Sequence, residues 1–485
     1  MIGITAFGGY IPRYRMSRMT IIQNMAWYFP VIMAVAGGEK SVANWDEDAV
    51  SMAVAASYDC MTGKNRKALE GVFFASTTMP FADRLNAGVI AAALNAPEEG
   101  IANADFSACL KAGTTAAISA LEAIASGERS NVLVAAADMR KAKMATMAEM
   151  FIGDGAAAVL FGKDDVIAEF KGSYSLNADF VDHYKGVGKD FDYQWEERWV
   201  RDEGYGKLIP KAIAGYLKKT GANLADFAKV IYPCYFTGTH RGIAKQLGID
   251  PSRLQDNMHN VCGDTGTAHP LLMLASALEQ AKPGDRLLLA GFGQGCDVLG
   301  FEVTDKIKNF RPARGASGSL AAKVDLPNYQ KYTKFRDLIT ADLGIRGEAN
   351  PNTSLTALWR KRKMILGFVG NKCTACGTPQ FPSLPMCVNP DCNEVGKFED
   401  YEFADKSGKI QMFTGDMLSP SVDPPAVYGL VEFDGGGKAF LDFTDCDLNQ
   451  IKVGMPIQMS FRRRMKDQTR GFTGYFWKAV PKVQG

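Results

Sequence analysis

The sequence predicts an α/β protein built from two similar halves, followed by a small cysteine-held metal module and a short-stranded β-barrel. Three observations lead there. Residues 1–305 alternate strand-like and helix-like segments rich in Ala and Gly, the pattern of helices covering buried sheets. Within them one passage echoes another. Ala123–Asp138 runs from a helix end through a Ser-Gly-Glu-Arg turn into a strand, and Ser276–Gly293 does the same through Lys282-Pro283-Gly284-Asp285. Four of the ten cysteines crowd into Cys373–Cys392, ahead of four or five short strands punctuated by Gly and Pro.

In chain order, Met1-Ile2-Gly3-Ile4-Thr5 reads directly into a strand, with no basic head or apolar core of a targeting peptide. Thr114–Ser126 is an Ala-rich helix, and Asn131–Ala137 a short apolar strand behind a polar turn. From about Asp305 to Leu366 the texture turns to Lys, Arg, Asn and Pro, a connecting region with some helix such as Ser354–Arg362. Strands are expected at Val427–Phe433, Ala439–Phe443, Pro456–Phe461 and Gly474–Val480. A chain of 485 residues exceeds one hydrophobic core, so several domains are expected. We place them at 1–163 and 164–305 for the halves, 306–366 for the connection, 367–395 for the metal module and 396–485 for the barrel.

The composition is ordinary for a globular protein, with 47% hydrophobic and 22% charged residues. A net charge of +2 gives no sign of nucleic acid or an acidic membrane surface as partner. No segment reaches the roughly 18 unbroken apolar residues of a membrane helix. Six scattered cysteines and one cluster suit a reducing, cytoplasmic setting better than a disulfide framework.

Two cysteine patterns bear on chemistry. Cys373-Thr-Ala-Cys376, then Cys387 and Cys392, supply four thiolates in two pairs, a zinc site with no open position and therefore structural. Gly377 allows the tight turn after the first pair. Cys109, in Asp105-Phe-Ser-Ala-Cys-Leu-Lys-Ala-Gly113, lies between a strand and an Ala-rich helix. The positive end of a helix lowers a thiol pKa and favours a nucleophilic thiolate. The segment alone equally admits a buried structural cysteine.

Resemblance favours the nucleophile. Gly3–Met16, Gly38–Ala56, Asp105–Thr115 and Ala281–Gly295 resemble archaeal and bacterial 3-hydroxy-3-methylglutaryl-CoA synthases, and Gly153–Gly162 resembles a motif of the related ketoacyl synthases. The likeness covers most of residues 1–303. It implies a duplicated thiolase-type fold of stacked α/β halves, usually a homodimer, with the acyl group carried on Cys109. Residues 367–485 resemble instead the zinc-ribbon and OB-fold proteins that accompany thiolases and such synthases in archaeal complexes, through Cys373–Cys392, Tyr428–Phe433 and Ile451–Pro456. Those proteins help hold CoA, so a CoA thioester is the implied substrate.

The family's partners of the cysteine are not kept. Thr77 stands where the family has glutamate, Pro233 where it has histidine, and Gly263-Asp264-Thr265 where the ketoacyl synthases have Gly-Asn-Thr. A condensing site needs an acid/base group beside its nucleophile. Asn260–Pro270 resembles the Gly-His-Pro segment of thiolases, which implies His269 as a substitute; a core or capping histidine is the other reading. Asp264 is a further acid/base candidate or a turn former. Cys296 offers a second thiol or a structural residue. His183, His240 and His259 have no motif behind them. Arg462, Arg463 and Arg464, with Lys466 and Arg470 nearby, are candidates for the CoA phosphates or a solvated hairpin loop. The chain is thus expected to be an acyltransferase that forms or cleaves a C–C bond by Claisen condensation or thiolysis. The competing reading is a non-catalytic acyl-CoA-binding or scaffold protein that keeps the fold.

Overall fold

The strand expected at the start of the chain is β1 (Gly3–Tyr10), buried throughout. The computed structural model describes residues 1–194, 196–342, 352–464, 466–467 and 469–482. Residues 343–351 of the connecting region lie outside these, as does Met465 in the basic cluster. Two units are formed. The first comprises Met1–Ala43, Asp48–Ala91 and Ala96–Leu338, the second Asn44–Glu47, Ala92–Asn95 and Ile339–Gly485.

In the first unit β1 is followed by α1 (Ala49–Cys60), β2 (Gly71–Ala75), α2 (Asn86–Ala93), β3 (Ala102–Phe106), α3 (Ala112–Ala125), β4 (Asn131–Asp138) and β5 (Gly155–Gly162). Their order in the sheet is β3-β2-β4-β5-β1, with β5 antiparallel to both neighbours. The arrangement then recurs. β6 (Ala168–Asn177), a small hairpin of β7 (His183–Tyr184) and β8 (Tyr193–Gln194), α4 (Gly206–Thr220), β9 (Lys229–Ile231), α5 (Thr237–Gln246), α6 (His269–Gln280), β10 (Arg286–Phe292) and β11 (Gly295–Val303) follow. Four of these strands lie in the order β9-β10-β11-β6, and β11 is antiparallel to both neighbours. So β6, β9, β10 and β11 repeat the places of β1, β2, β4 and β5. The place of β3 is marked by a single parallel bridge, Val230 to Leu254. Antiparallel pairing of Gly3 with Glu169 and Ile4 with Ala168 joins the halves into one nine-stranded sheet.

The sequence echo falls on equivalent elements, α3 into β4 and α6 into β10. In both, a helix returns over the sheet and feeds a central strand that is apolar on both faces, as strands covered on both sides must be. Helix α3 buries Ala116, Ala117, Ala120, Leu121 and Ile124, a three-to-four-residue spacing that makes one apolar face. Helices α3 and α6 pack against each other. Their N-termini carry Cys109 and His269, so these residues occupy corresponding places in the two halves.

Part of the connecting region belongs to the first unit. Val324–Asp325 pairs with Tyr14–Arg15, and Leu326, Tyr329 and Tyr332 join Met16, Ile21 and Ile32 in a buried cluster. The expected helix at Ser354–Arg362 is seen at Leu355–Arg360, with Ser354 at the N-cap position and no side-chain capping bond.

In the second unit β12 (Val369–Cys373) lies between β13 (Pro379–Gln380) and β14 (Phe398–Glu402). Then come β15 (Gly408–Asp416), β16 (Ala426–Phe433), β17 (Lys438–Asp442), β18 (Pro456–Arg463) and β19 (Tyr475–Pro481). They form an antiparallel sheet in the order β17-β16-β15-β18-β19. A bridge from Phe443 to Ala479 brings its two edges together as a nearly closed barrel. Four of the strands are the expected ones; β15, with its more exposed and irregular pattern, is not legible from alternation.

Candidate active site and metal centre

β2, β3 and β4 are parallel, so the residues that follow them gather at one edge of the sheet. Thr77 follows β2, Cys109 follows β3 and Arg140 follows β4. Ala108 turns the chain with a φ of 77° and places Cys109 just ahead of α3. The Gly-rich turn between β10 and β11 presses on this point. A Cβ at Gly293 would stand 2.7 Å from the backbone nitrogen of Lys111 and 2.8 Å from that of Leu110. Only glycine permits that approach. Behind Cys109, Lys111 Nζ lies 3.1 Å from the buried Asp297, which also accepts from Thr115 Oγ1 at 2.7 Å and Thr114 Oγ1 at 3.2 Å.

Of the five cysteines in the first unit, Cys60, Cys234, Cys262 and Cys296 are buried and Cys109 is half-buried. The expectation that the helix terminus lowers the Cys109 pKa needs correction. Burial is the largest influence and pushes the thiol up; Lys111 pulls it down through its charge and its N–H, while Asp297 and Asp182 push it up. This thiol therefore needs a base to ionise it.

The other expected residues are placed as follows. His269 is fully buried. Its Nε2 donates to the Asn257 carbonyl at 2.8 Å, and its Nδ1 accepts from the Thr265 N–H at 3.2 Å. Both nitrogens are engaged by the protein itself, the ring stacks on His259 at 4.4 Å, and burial lowers its pKa. Asp264 turns back to accept from the Gly266 N–H at 3.0 Å and pairs with Arg140 at 3.4 Å. Cys296 points into a core containing Tyr216, Phe292 and Val298, where burial raises its thiol far up. His240 and His259 are buried as well.

The carboxylate nearest the lost glutamate position is one that motif reading misses. Asp138, fully buried at the end of β4, accepts from Ser76 Oγ, from the Thr77 N–H and Oγ1, from Thr78 Oγ1 and from the Thr267 N–H, at 2.8–3.1 Å. The available signal was an aspartate closing an apolar strand. The β7–β8 hairpin was also missed. Lys185 Nζ in it donates to the Thr77 carbonyl at 3.1 Å, and Asp192 pairs with Arg140 at 2.7 Å. Burial is the largest influence and pushes the Asp192 carboxyl up, but the charge and hydrogen bond of Arg140 together with the charges of His183 and Lys185 hold the group below the usual range.

In the second unit, two of the three arginines expected at CoA phosphates are otherwise engaged. Arg462 is buried, with Glu47 at 2.7 Å, Asp445 at 2.6 Å and Asp46 at 3.3 Å. Arg463 holds the Trp45 carbonyl with its guanidinium. Arg464 is exposed. A run of arginines on a strand alternates sides, and here the inward one found carboxylates.

Cys373, Cys376, Cys387 and Cys392 come together, all four sulfurs within 4.8 Å of one another. Cys373 and Cys392 are 3.7 Å apart, Cys376 and Cys387 3.5 Å. A tetrahedral ion with ~2.3 Å metal–sulfur bonds sets neighbouring sulfurs about 3.8 Å apart. The four thiolates therefore fit one tetrahedral metal and leave it no open position.

Residues 217–302 match the family of 3-oxoacyl-[acyl-carrier-protein] synthase III C-terminal domains, and residues 402–462 the C-terminal OB-fold domain of ChsH2. The hydroxymethylglutaryl-CoA synthase of Methanopyrus kandleri is 28% identical over 318 residues, 64% of this chain and 90% of that one. That of Methanocella arvoryzae is 27% identical over 351 residues, 70% of this chain and 99% of that one. Among solved structures, HMG-CoA synthase complexed with CoA aligns with a TM-score of 0.60 at 19% identity, over 73% of this chain and 94% of that one. OleA of Xanthomonas campestris with bound lauric acid and lauroyl-CoA aligns with a TM-score of 0.55 at 17% identity, over 62% and 98%.

Proposed function

We propose that this thiolase-fold protein, continued by an OB-fold domain of the ChsH2 type, is an acyl-CoA acyltransferase that makes or breaks a carbon–carbon bond through an acyl thioester on Cys109. One observation carries the reading: Cys109 alone among the first unit's cysteines is not buried, and it stands at the sheet edge where β2, β3 and β4 deliver their following residues. In the reaction Cys109 Sγ attacks the thioester carbonyl of an acyl-CoA, the carbon–sulfur bond to CoA breaks, and the acyl group rests on Cys109. A thiolate suits this exchange because the thioesters on either side differ little in energy. The acyl-enzyme then meets a carbanion equivalent in the condensing direction, or arises from C–C cleavage in the thiolytic one.

The test is intact-mass spectrometry of the full chain with acetyl-CoA and with lauroyl-CoA, followed by peptide mapping. The expected result is one acyl adduct, on Cys109. CoA binding without any adduct, across short and long acyl chains, establishes the acyl-CoA-binding reading instead.

The metal follows from the same proposal as structural zinc, held by Cys373, Cys376, Cys387 and Cys392. Zinc would supply folding energy there and no chemistry. Metal analysis is expected to find about one zinc per chain. Cys376→Ser is expected to loosen residues 369–402, read as faster hydrogen exchange in β12 and β14, while β1 and β4 keep their protection. Folded protein that contains no metal defeats the assignment. Among the described residues no helix is long and apolar enough to cross a membrane. The proposed setting is cytoplasmic and the proposed assembly a homodimer, which sedimentation analysis checks.

A further inference from the structure

The site described above has a nucleophile whose thiol is pushed up by burial, and the family's glutamate and histidine positions hold Thr77 and Pro233. The base must come from elsewhere. The chain has four histidines. His240, His259 and His269 are buried. His183 is the remaining one, with a side chain 12% exposed. It sits on β7, and its Nδ1 lies 2.8 Å from the carboxylate of Asp182, itself buried.

The placement of this pair is set by three attachments. The chain leaves β6 at Asn177, which pairs with Gly295 in the Gly-rich turn. That turn lies against the backbone of Leu110 and Lys111, immediately after Cys109. Four residues beyond Ala178 comes Asp182. On its far side the hairpin is tied down by Lys185 to the Thr77 carbonyl and by Asp192 to Arg140. The dyad is thus strung between the turn that touches the Cys109 segment and the loop holding the lost glutamate position. The charge of Asp182 reaches the Cys109 thiol.

We propose that His183, oriented by Asp182, is the general base and acid for Cys109, a role its hairpin takes over from the residues replaced at Thr77 and Pro233. The carboxylate is an acceptor, so Nδ1 carries the ring proton and Nε2 keeps the lone pair. In acylation the Sγ–H proton of Cys109 moves to Nε2 as the Sγ–carbon bond forms. Collapse of the tetrahedral adduct breaks the carbon–sulfur bond to CoA, and the proton passes from Nε2 to the departing sulfur. Imidazole returns to its neutral form, and no other reagent is consumed. Asp182 is a positioning residue: it fixes the tautomer and stabilises the transient imidazolium. The other charged groups around the dyad are Asp192 and Lys185 on the hairpin and Arg140 after β4. Lys111 and Asp297 lie beside Cys109.

This inference rests on the proposed acyl-Cys109 reading, and two measurements separate their fates. Alkylation of Cys109 by iodoacetamide, followed by intact mass across pH, reads ionisation of the thiol without any acyl-CoA. Acylation by acetyl-CoA and lauroyl-CoA reads transfer. For His183→Ala and His183→Gln, the pH midpoint of Cys109 alkylation is expected to rise and acylation to slow about a hundredfold or more. Added imidazole should partly restore the alanine variant. Asp182→Asn should move the pH profile in the same direction by a smaller amount. Hydrogen exchange of β1 and β4 shows that each variant is folded, and the glutamine variant keeps the side-chain volume if the alanine variant fails. Alkylation profiles identical to wild type in a folded His183 variant overturn the proposal. A shifted alkylation profile with no acylation of the wild-type protein upholds the His183–Cys109 coupling and overturns the acyltransferase reading.

Discussion

Cys109→Ser is expected to lower turnover by a factor of about a thousand or more, with no acyl adduct at position 109. Loss of a covalent nucleophile in an enzyme of this kind removes the intermediate itself, and costs of up to about a million are known for such losses. Here the substitution is severe for a local reason. A serine hydroxyl ionises far less readily than a thiol, and the thiol it replaces is already pushed up by burial. Lys111 is held by Asp297 and is in no position to serve as the base. The variant should fold normally, since a half-buried sulfur exchanged for oxygen leaves the packing of α3 unchanged. Steady-state kinetics and intact mass check the two parts separately. Turnover within tenfold of wild type would mean that the chemistry runs through another group.

The second large effect concerns stability of the second unit. Arg462→Ala is expected to destabilise it by about 3–5 kcal/mol, the cost of leaving buried charge without its partner. One guanidinium faces Asp46, Glu47 and Asp445, all nearly inaccessible; without it Lys478 still answers Asp46 at 3.0 Å, while Asn44 donates to Glu47 at 2.8 Å and to Asp445 at 2.9 Å without bringing a compensating charge. Hydrogen exchange in β18 and β19 of the full chain reads the loss. Exchange rates equal to wild type would show that the cluster is relaxed by water. The same cluster gives a pH dependence. Burial pushes the Asp46 carboxyl up, yet Lys478 and Arg462 together outweigh burial and leave it below its ordinary value. A carboxyl depressed in the folded state stabilises it fully above the unfolded pKa of about 3.9 and progressively less as pH falls through the folded one. Acid opening of the second unit is therefore expected below about pH 4, and Arg462→Ala should move it to higher pH.

The features legible in the sequence are those that repeat along the chain at short range. Alternating strand and helix texture, the paired α3–β4 and α6–β10 passages and the four clustered cysteines each depend on residues within about twenty positions of one another. Local periodicity and spacing encode such features directly. The duplication was visible as an echo because the same packing problem, a helix returning over a doubly covered strand, recurs in both halves. The barrel strands were legible where alternation was strong, and β15 was not.

What only the tertiary structure decided is which polar groups meet. His269 matched a motif, yet the fold commits both of its nitrogens to Asn257 and Thr265. Arg462 looked like a phosphate ligand, yet it faces carboxylates 17 and more than 400 positions away. Asp138 and the Asp182–His183 pair carried no motif, yet the sheet edge brings the first to Thr77, and the hairpin that carries the second is tied through Lys185 to the Thr77 carbonyl. Charge and hydrogen-bond pairing depend on separations of a few ångströms, which sequence spacing does not encode once the partners lie on different elements. The sequence alone determined the architecture, the candidate nucleophile and the four cysteines that could hold a metal; the surroundings that govern the ionisation of Cys109 were decided by the fold.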